Sequence, residues 1–72
     1  MPYAAVDELP ASVRNHLPPH AQAIYMEAFN HAWDEYADPE RRRDGQEATA
    51  HRVAWAAVKR SYRKEGEHWV PR

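Results

Sequence analysis

The stretch from Ala50 to Tyr62 constrains this chain more than any other, because its apolar residues are too many and too widely spread for an ordinary surface helix. Wound at about 100° per residue, residues 48 to 64 spread their apolar positions over an arc of roughly 220°. Ala48, His51, Trp55, Val58 and Tyr62 take one side of that arc, and Ala50, Val53, Ala54, Ala57 and Ser61 continue it round the back. Such a helix is expected at the centre of its domain, with Trp55 in the core. What stays outside is a narrow stripe of Arg52, Ala56, Lys59, Arg60 and Arg63, with no acidic residue between Glu47 and Glu65.

A second long helix is expected from about residue 19 to 37. Ala21, Ile24, Tyr25, Ala28, Phe29, Ala32, Trp33 and Tyr36 keep one face apolar along its whole length, and Pro19 suits its first turn. The opposite face carries Glu27, Asn30, His31, Asp34 and Glu35, and is acidic where the later helix is basic. Leu9, Val13 and Leu17 mark a short helix over about 10–16, ended by Pro18 and Pro19. Asp38 and Pro39 read as an N-cap and first position of another short helix over about 39–43. Asp44 and Glu47 have capping-box spacing, which starts the central helix near residue 46, and Gly66 closes it after Glu65. The predicted fold is mainly α: a bundle of two long helices with one or two short ones. The extended segment at Pro2 and Tyr3 and the tail with Trp69 are expected to pair as a small two-stranded sheet, Trp69 lying near Tyr3.

With 72 residues and no cysteine, the chain is read as one domain without disulfides or a structural zinc. A core of this size supplies only about 3–5 kcal/mol of net stability, so each large side chain matters. Tyr25, Phe29, Trp33, Tyr36, Trp55, Val58 and Tyr62 are the expected core. Ten basic against eleven acidic residues give a net charge of −1, which excludes a general polycation. The start of the chain lacks the basic-then-apolar pattern of a signal peptide and no apolar run approaches the roughly 20 residues of a membrane span. A cytoplasmic monomer without membrane insertion is expected.

No arrangement in the sequence supplies a nucleophile with an acid–base partner. Ser12, Thr49 and Ser61 are explained by an exposed helix position, a first helical turn and a small-residue packing site, and the pairs Asp7 with Glu8 and Asp34 with Glu35 diverge on a helix. Glu27, His31 and Asp34 share a helical face at metal-ligand spacing, but an exposed polar face explains them as well. His16 and His20 are separated by prolines, and His51 reads as a packed histidine with one hydrogen bond. No catalytic, metal or cofactor residues are therefore assigned. The basic stripe is the strongest functional signal, with Arg41, Arg42 and Arg43 preceding it and Met26 on the shoulder of the other long helix. Its ordinary explanation is a solvated face, or neutralisation by the acidic face opposite.

Met1 to Tyr3, Leu9-Pro10 with Val13, Leu17-Pro18 with His20 to Gln22, Ile24-Tyr25 with Glu27 to Asn30, Ala32-Trp33 and Tyr36 together resemble the ChaB family. So do Thr49 to His51, Val53 to Lys59, Tyr62 and Trp69, and the resemblance spans nearly the whole chain. It implies a compact helical fold with a small sheet, and a regulator of a cation/proton antiporter that exchanges sodium or calcium. ChaB-like proteins of some viruses are associated with DNA binding. The sequence departs from the bacterial pattern in the loop of Arg41, Arg42 and Arg43 and in its tail. The expected function is thus a non-enzymatic regulatory module binding a protein partner, with nucleic-acid binding through the basic face as the alternative. The expected partner-binding residues are Arg52, Lys59, Arg60, Arg63, Arg41, Arg42, Arg43 and Met26, and protonation of the five histidines is a candidate tuning device.

Overall fold

The computed structural model describes residues 2–38, 40 and 45–72. A 3-10 turn (Val6–Glu8) and a short helix α1 (Ala11–Arg14) lead into α2 (Pro19–Glu35); α3 (Gln46–Ser61) follows and passes directly into a hairpin of β1 (Tyr62–Glu65) and β2 (His68–Pro71). The short helix expected over 39–43 falls almost wholly outside the described residues.

The two long helices form as their periodicity requires, and they pack on each other through small residues. Ala21 and Ala32 of α2 and Ala50 and Ala54 of α3 are all buried, so little side-chain bulk holds the helices apart. Tyr25, Phe29 and Val58 fill the space between them, Tyr62 closes one end, and Leu9, Val13 and Leu17 bring the N-terminal segment onto the same core. Pro18 is extended before Pro19 opens α2, and the Gln22 side-chain amide donates to the Leu17 carbonyl at 2.8 Å and the Arg14 carbonyl at 3.2 Å, which fixes the corner between α1 and α2. Trp33, Tyr36 and Trp55, expected inside, are only half-buried and pack against the edge of this core.

Four expectations are corrected. The central helix ends at Ser61, four residues early, because the following segment is a strand whose Tyr62 is buried. Arg72 caps that helix end: its backbone N–H bonds the Ser61 carbonyl at 3.0 Å, and its Nε donates to the carbonyls of Lys59 at 2.7 Å and Tyr62 at 3.2 Å. The sheet pairs the two halves of the C-terminal segment and leaves the N-terminus out, with Lys64 opposite Trp69 and Glu65 opposite His68. Gly66, at φ +63°, heads the two-residue turn of this hairpin instead of capping a helix, as a type II′ turn demands. Asn30, placed by periodicity on the polar face, is only 9 % exposed. Its Oδ1 accepts from the Tyr3 N–H at 3.1 Å and its Nδ2 donates to the Tyr3 carbonyl at 2.8 Å, so one amide side chain does for Tyr3 what a neighbouring strand would. The Tyr3 ring then rests on Phe29 with centroids 5.0 Å apart.

The start of α3 also differs from its capping-box reading: Gly45 is the N-cap and no side chain bonds it, while Asp44 lies outside the described residues. Ser61 is exposed instead of serving as a packing site. Among the described residues, no helix is long and apolar enough to cross a membrane.

Candidate partner-binding face

A helix with a 220° apolar arc needs neighbours on nearly all sides, and this chain has only one other long helix to offer. Covered by α2 on one side and by the hairpin at its end, α3 buries Val58 but leaves Ala48, His51 and part of Trp55 at the surface. Glu47, Ala48, His51, Arg52, Trp55, Ala56 and Lys59 line an open groove there, about 850 Å³ in volume. Trp55 is thus a surface-facing residue flanked by a cation one turn ahead and another one turn behind.

The basic stripe divides. Arg52 and Lys59 line the Trp55 groove. Arg60 lines a different groove, between the long helices, with Ala28, His31, Ala32, Glu35 and Val53. Arg63 projects from β1 and is bound to Glu65 at 3.1 Å. Arg41, Arg42 and Arg43 lie outside the described residues, and Met26 is half-buried against the core. Of the expected partner-binding residues the structure therefore brings two together, Arg52 and Lys59, around a tryptophan expected elsewhere. On the acidic helix, His31 lies 3.6 Å from Glu35. Among the described residues, no three His, Asp or Glu side chains gather as a metal site would need.

His51 is more engaged than its sequence position suggested. It is exposed at the rim of the groove, and both ring nitrogens are bonded: the Trp55 indole N–H reaches Nε2 at 2.9 Å, and Nδ1 meets the Tyr25 hydroxyl. Tyr25 is buried, at 1 % exposure, with its ring edge-on to Trp55 at 5.4 Å and to His51 at 5.8 Å. Burial, reinforced by the neighbouring Tyr3 and by the Glu47 charge, pushes the Tyr25 hydroxyl well above the ordinary phenol range. Burial and then Glu47 push Tyr3 in the same direction.

Trp69, expected beside Tyr3, packs on Trp55 instead, with centroids 5.4 Å apart and planes inclined at 34°. The hairpin that brings it there had a signal in the sequence: a glycine heading a two-residue gap between Glu65 and His68.

The profile of the ChaB family matches residues 9–72. The chain is 57 % identical over 72 residues to the "Putative cation transport regulator ChaB" of Escherichia coli strain K12, with 96 % of this chain and 95 % of the relative covered; the proteins of that name in Escherichia coli O157:H7 and Shigella flexneri match it equally. A solution structure titled "NMR solution structure of the putative cation transport regulator ChaB" is similar to this fold at a TM-score of 0.84 and 53 % identity, with 99 % of each chain covered.

Proposed function

The chain belongs to the ChaB family, and from that premise we propose that it is a non-enzymatic regulatory module acting by direct protein contact on a cation/proton antiporter that carries sodium or calcium. The name of its relatives, cation transport regulator, supplies the process. What supports contact as the means is one observation: Trp55 stands half-exposed on α3 between Arg52 and Lys59, in an open groove. Tryptophan and arginine are the residue types that concentrate binding energy at protein interfaces, and a rigid helix presents them at little entropic cost. Arg52, Trp55 and Lys59 are the proposed centre of the interface, on the cytoplasmic side of the transporter. Arg60 and Arg63 lie off the groove and add charge at longer range only.

The test uses everted membrane vesicles carrying the antiporter, to which purified chain is added. Wild type should sediment with the vesicles and change the rate of proton-driven cation exchange, whereas the R52E/K59E variant does neither. An unchanged exchange rate and no sedimentation with wild type would overturn the proposal.

A second reading, nucleic-acid binding, is favoured by a separate observation: Trp55 and Trp69 are half-exposed beside Lys59 and Lys64, the combination of stacking surface and cation that single strands use. It predicts a gel shift at low salt that weakens steeply as salt is added, and no shift at low salt sinks it.

A further inference from the structure

Next to the α3 groove lies a second concavity of about 490 Å³, lined by Ser12, His16, Trp55, Lys59, Lys64 and Trp69. Three parts of the chain meet in it. The segment of α1 supplies Ser12 and His16, whose Nδ1–H donates to the Ser12 carbonyl; α3 supplies Trp55 and Lys59; and the hairpin supplies Lys64 and Trp69. The register sets Lys64 directly opposite Trp69, so both project from one face of the hairpin.

The chemistry of this lining is one-sided. Among the described residues that line it, every ionisable group is basic and none is a carboxylate. Lys59 and Lys64 have no carboxylate partner among the described residues, whereas Arg63, between them in sequence, is satisfied by Glu65. Two cations without counter-charges stand beside two tilted indoles, both half-exposed.

We propose that this pocket seats an acidic segment of a partner protein, its carboxylates meeting Lys59 and Lys64 and an apolar side chain resting on Trp55 and Trp69. The proposal rests on the reading above that the chain works by protein contact, and it names the chemistry of what is contacted. Charge distribution favours a short peptide over a nucleic acid or an anionic membrane. Those ligands need a long positive track, but the chain carries a net charge of −1, and among the described residues Arg63 is paired, Arg60 lines another groove, and Glu47 sits in the adjoining one. Two local cations suit two or three carboxylates.

The full chain, labelled with 15N, is titrated with an acetylated and amidated dodecapeptide of glutamates around a central leucine pair, and with its glutamine counterpart. The indole N–H signals of Trp55 and Trp69 should shift with the glutamate peptide while that of Trp33 stays. The glutamine peptide should bind about tenfold more weakly, and K59E/K64E should lose at least as much, its remaining spectrum unchanged because both lysines are exposed. Equal binding of the two peptides, shifts confined to other residues, or no binding at all overturns the proposal. So does tighter binding of an oligothymidylate or of phosphatidylglycerol vesicles at the same salt. K64E is also carried through the antiporter assay, since Lys64 lies outside the α3 groove. Peptide binding without antiporter capture defeats the transport reading and leaves the acidic-segment site standing; capture that K64E does not weaken defeats the site and leaves the transport reading.

Discussion

Trp55 donates its indole N–H to Nε2 of His51, one turn back on α3, across 2.9 Å. An indole nitrogen only donates, so Nε2 must offer a lone pair, and the proton of the neutral ring sits on Nδ1, donated to the Tyr25 hydroxyl. An imidazolium has a hydrogen on both nitrogens and cannot accept from Trp55. In His51→Leu, which offers no acceptor, the Trp55 indole N–H resonance should therefore move to the position of an unbonded indole while that of Trp33 does not. In His51→Gln, whose amide oxygen can accept from the indole, it should stay near its wild-type position. A Trp55 signal that His51→Leu leaves unmoved would show that the histidine bond does not hold the indole.

Asn30→Ala should detach the N-terminal segment. The amide makes both of its bonds to Tyr3 and is nearly buried, so truncation leaves the Tyr3 backbone groups to water and exposes the ring contact with Phe29. The expected cost is about 1–3 kcal/mol. Urea unfolding measures it, and hydrogen exchange at the Tyr3 amide should rise to the rate of a free segment while exchange in α2 and α3 stays slow.

Asn30 also marks where sequence reading stops. The apolar faces of both long helices were legible because a 3.6-residue period leaves a strong imprint, and most of the buried residues fall on them. Asn30 falls just beside the buried row of Tyr25, Phe29 and Ala32, where a polar residue reads as surface unless its partner is known. That partner, the backbone of Tyr3, leaves no mark on side-chain pattern. The same limit moved Trp55: periodicity shows how much of a helix is apolar, but how much is covered depends on how many other elements exist to cover it. The stripe of cations was legible, while its division between two grooves and a strand was not, since that depends on where α3 ends.

Raised phenol values at Tyr25 and Tyr3 make the fold sensitive to alkali. Above pH 10 or so the unfolded chain releases phenolic protons that the folded chain retains, so the folded state binds more protons and stability falls as pH rises. Below that range the contribution is fully present. The thermal midpoint should therefore be level up to about pH 10 and then drop. Tyr25→Phe, which loses about 1 kcal/mol with the His51 bond, should show a shallower decline in the same series. An identical alkaline slope in wild type and variant would contradict this assignment.

Trp55→Ala should leave a folded protein. A fully buried tryptophan costs about 3–5 kcal/mol to truncate, enough to unfold a chain of this size, but Trp55 is half-exposed and its removal should cost nearer 2 kcal/mol. Circular dichroism should retain the helical signal with a lowered melting point, while the near-ultraviolet signal from the Trp55–Trp69 contact disappears. Loss of cooperative melting would place more of the core on Trp55 than its exposure allows.

Gly66→Val should unhinge the hairpin without melting the helices. Gly66 has φ +63° with nothing within 4 Å of where a Cβ would sit, so the penalty is conformational and not a collision. A β-branched residue pays about 1–2 kcal/mol or more for that backbone, close to all that a four-residue strand pair can offer. With the turn strained, Trp69 leaves Trp55 and the Lys64 side chain loses its fixed place opposite Trp69. Amide exchange should rise in residues 62–71 and stay low through α2. The Trp69 indole resonance should move to its random-coil position, and binding of the glutamate peptide should weaken in parallel, since the second wall of the pocket is gone. Gly66→Asn, which tolerates positive φ better, should restore most of both readouts.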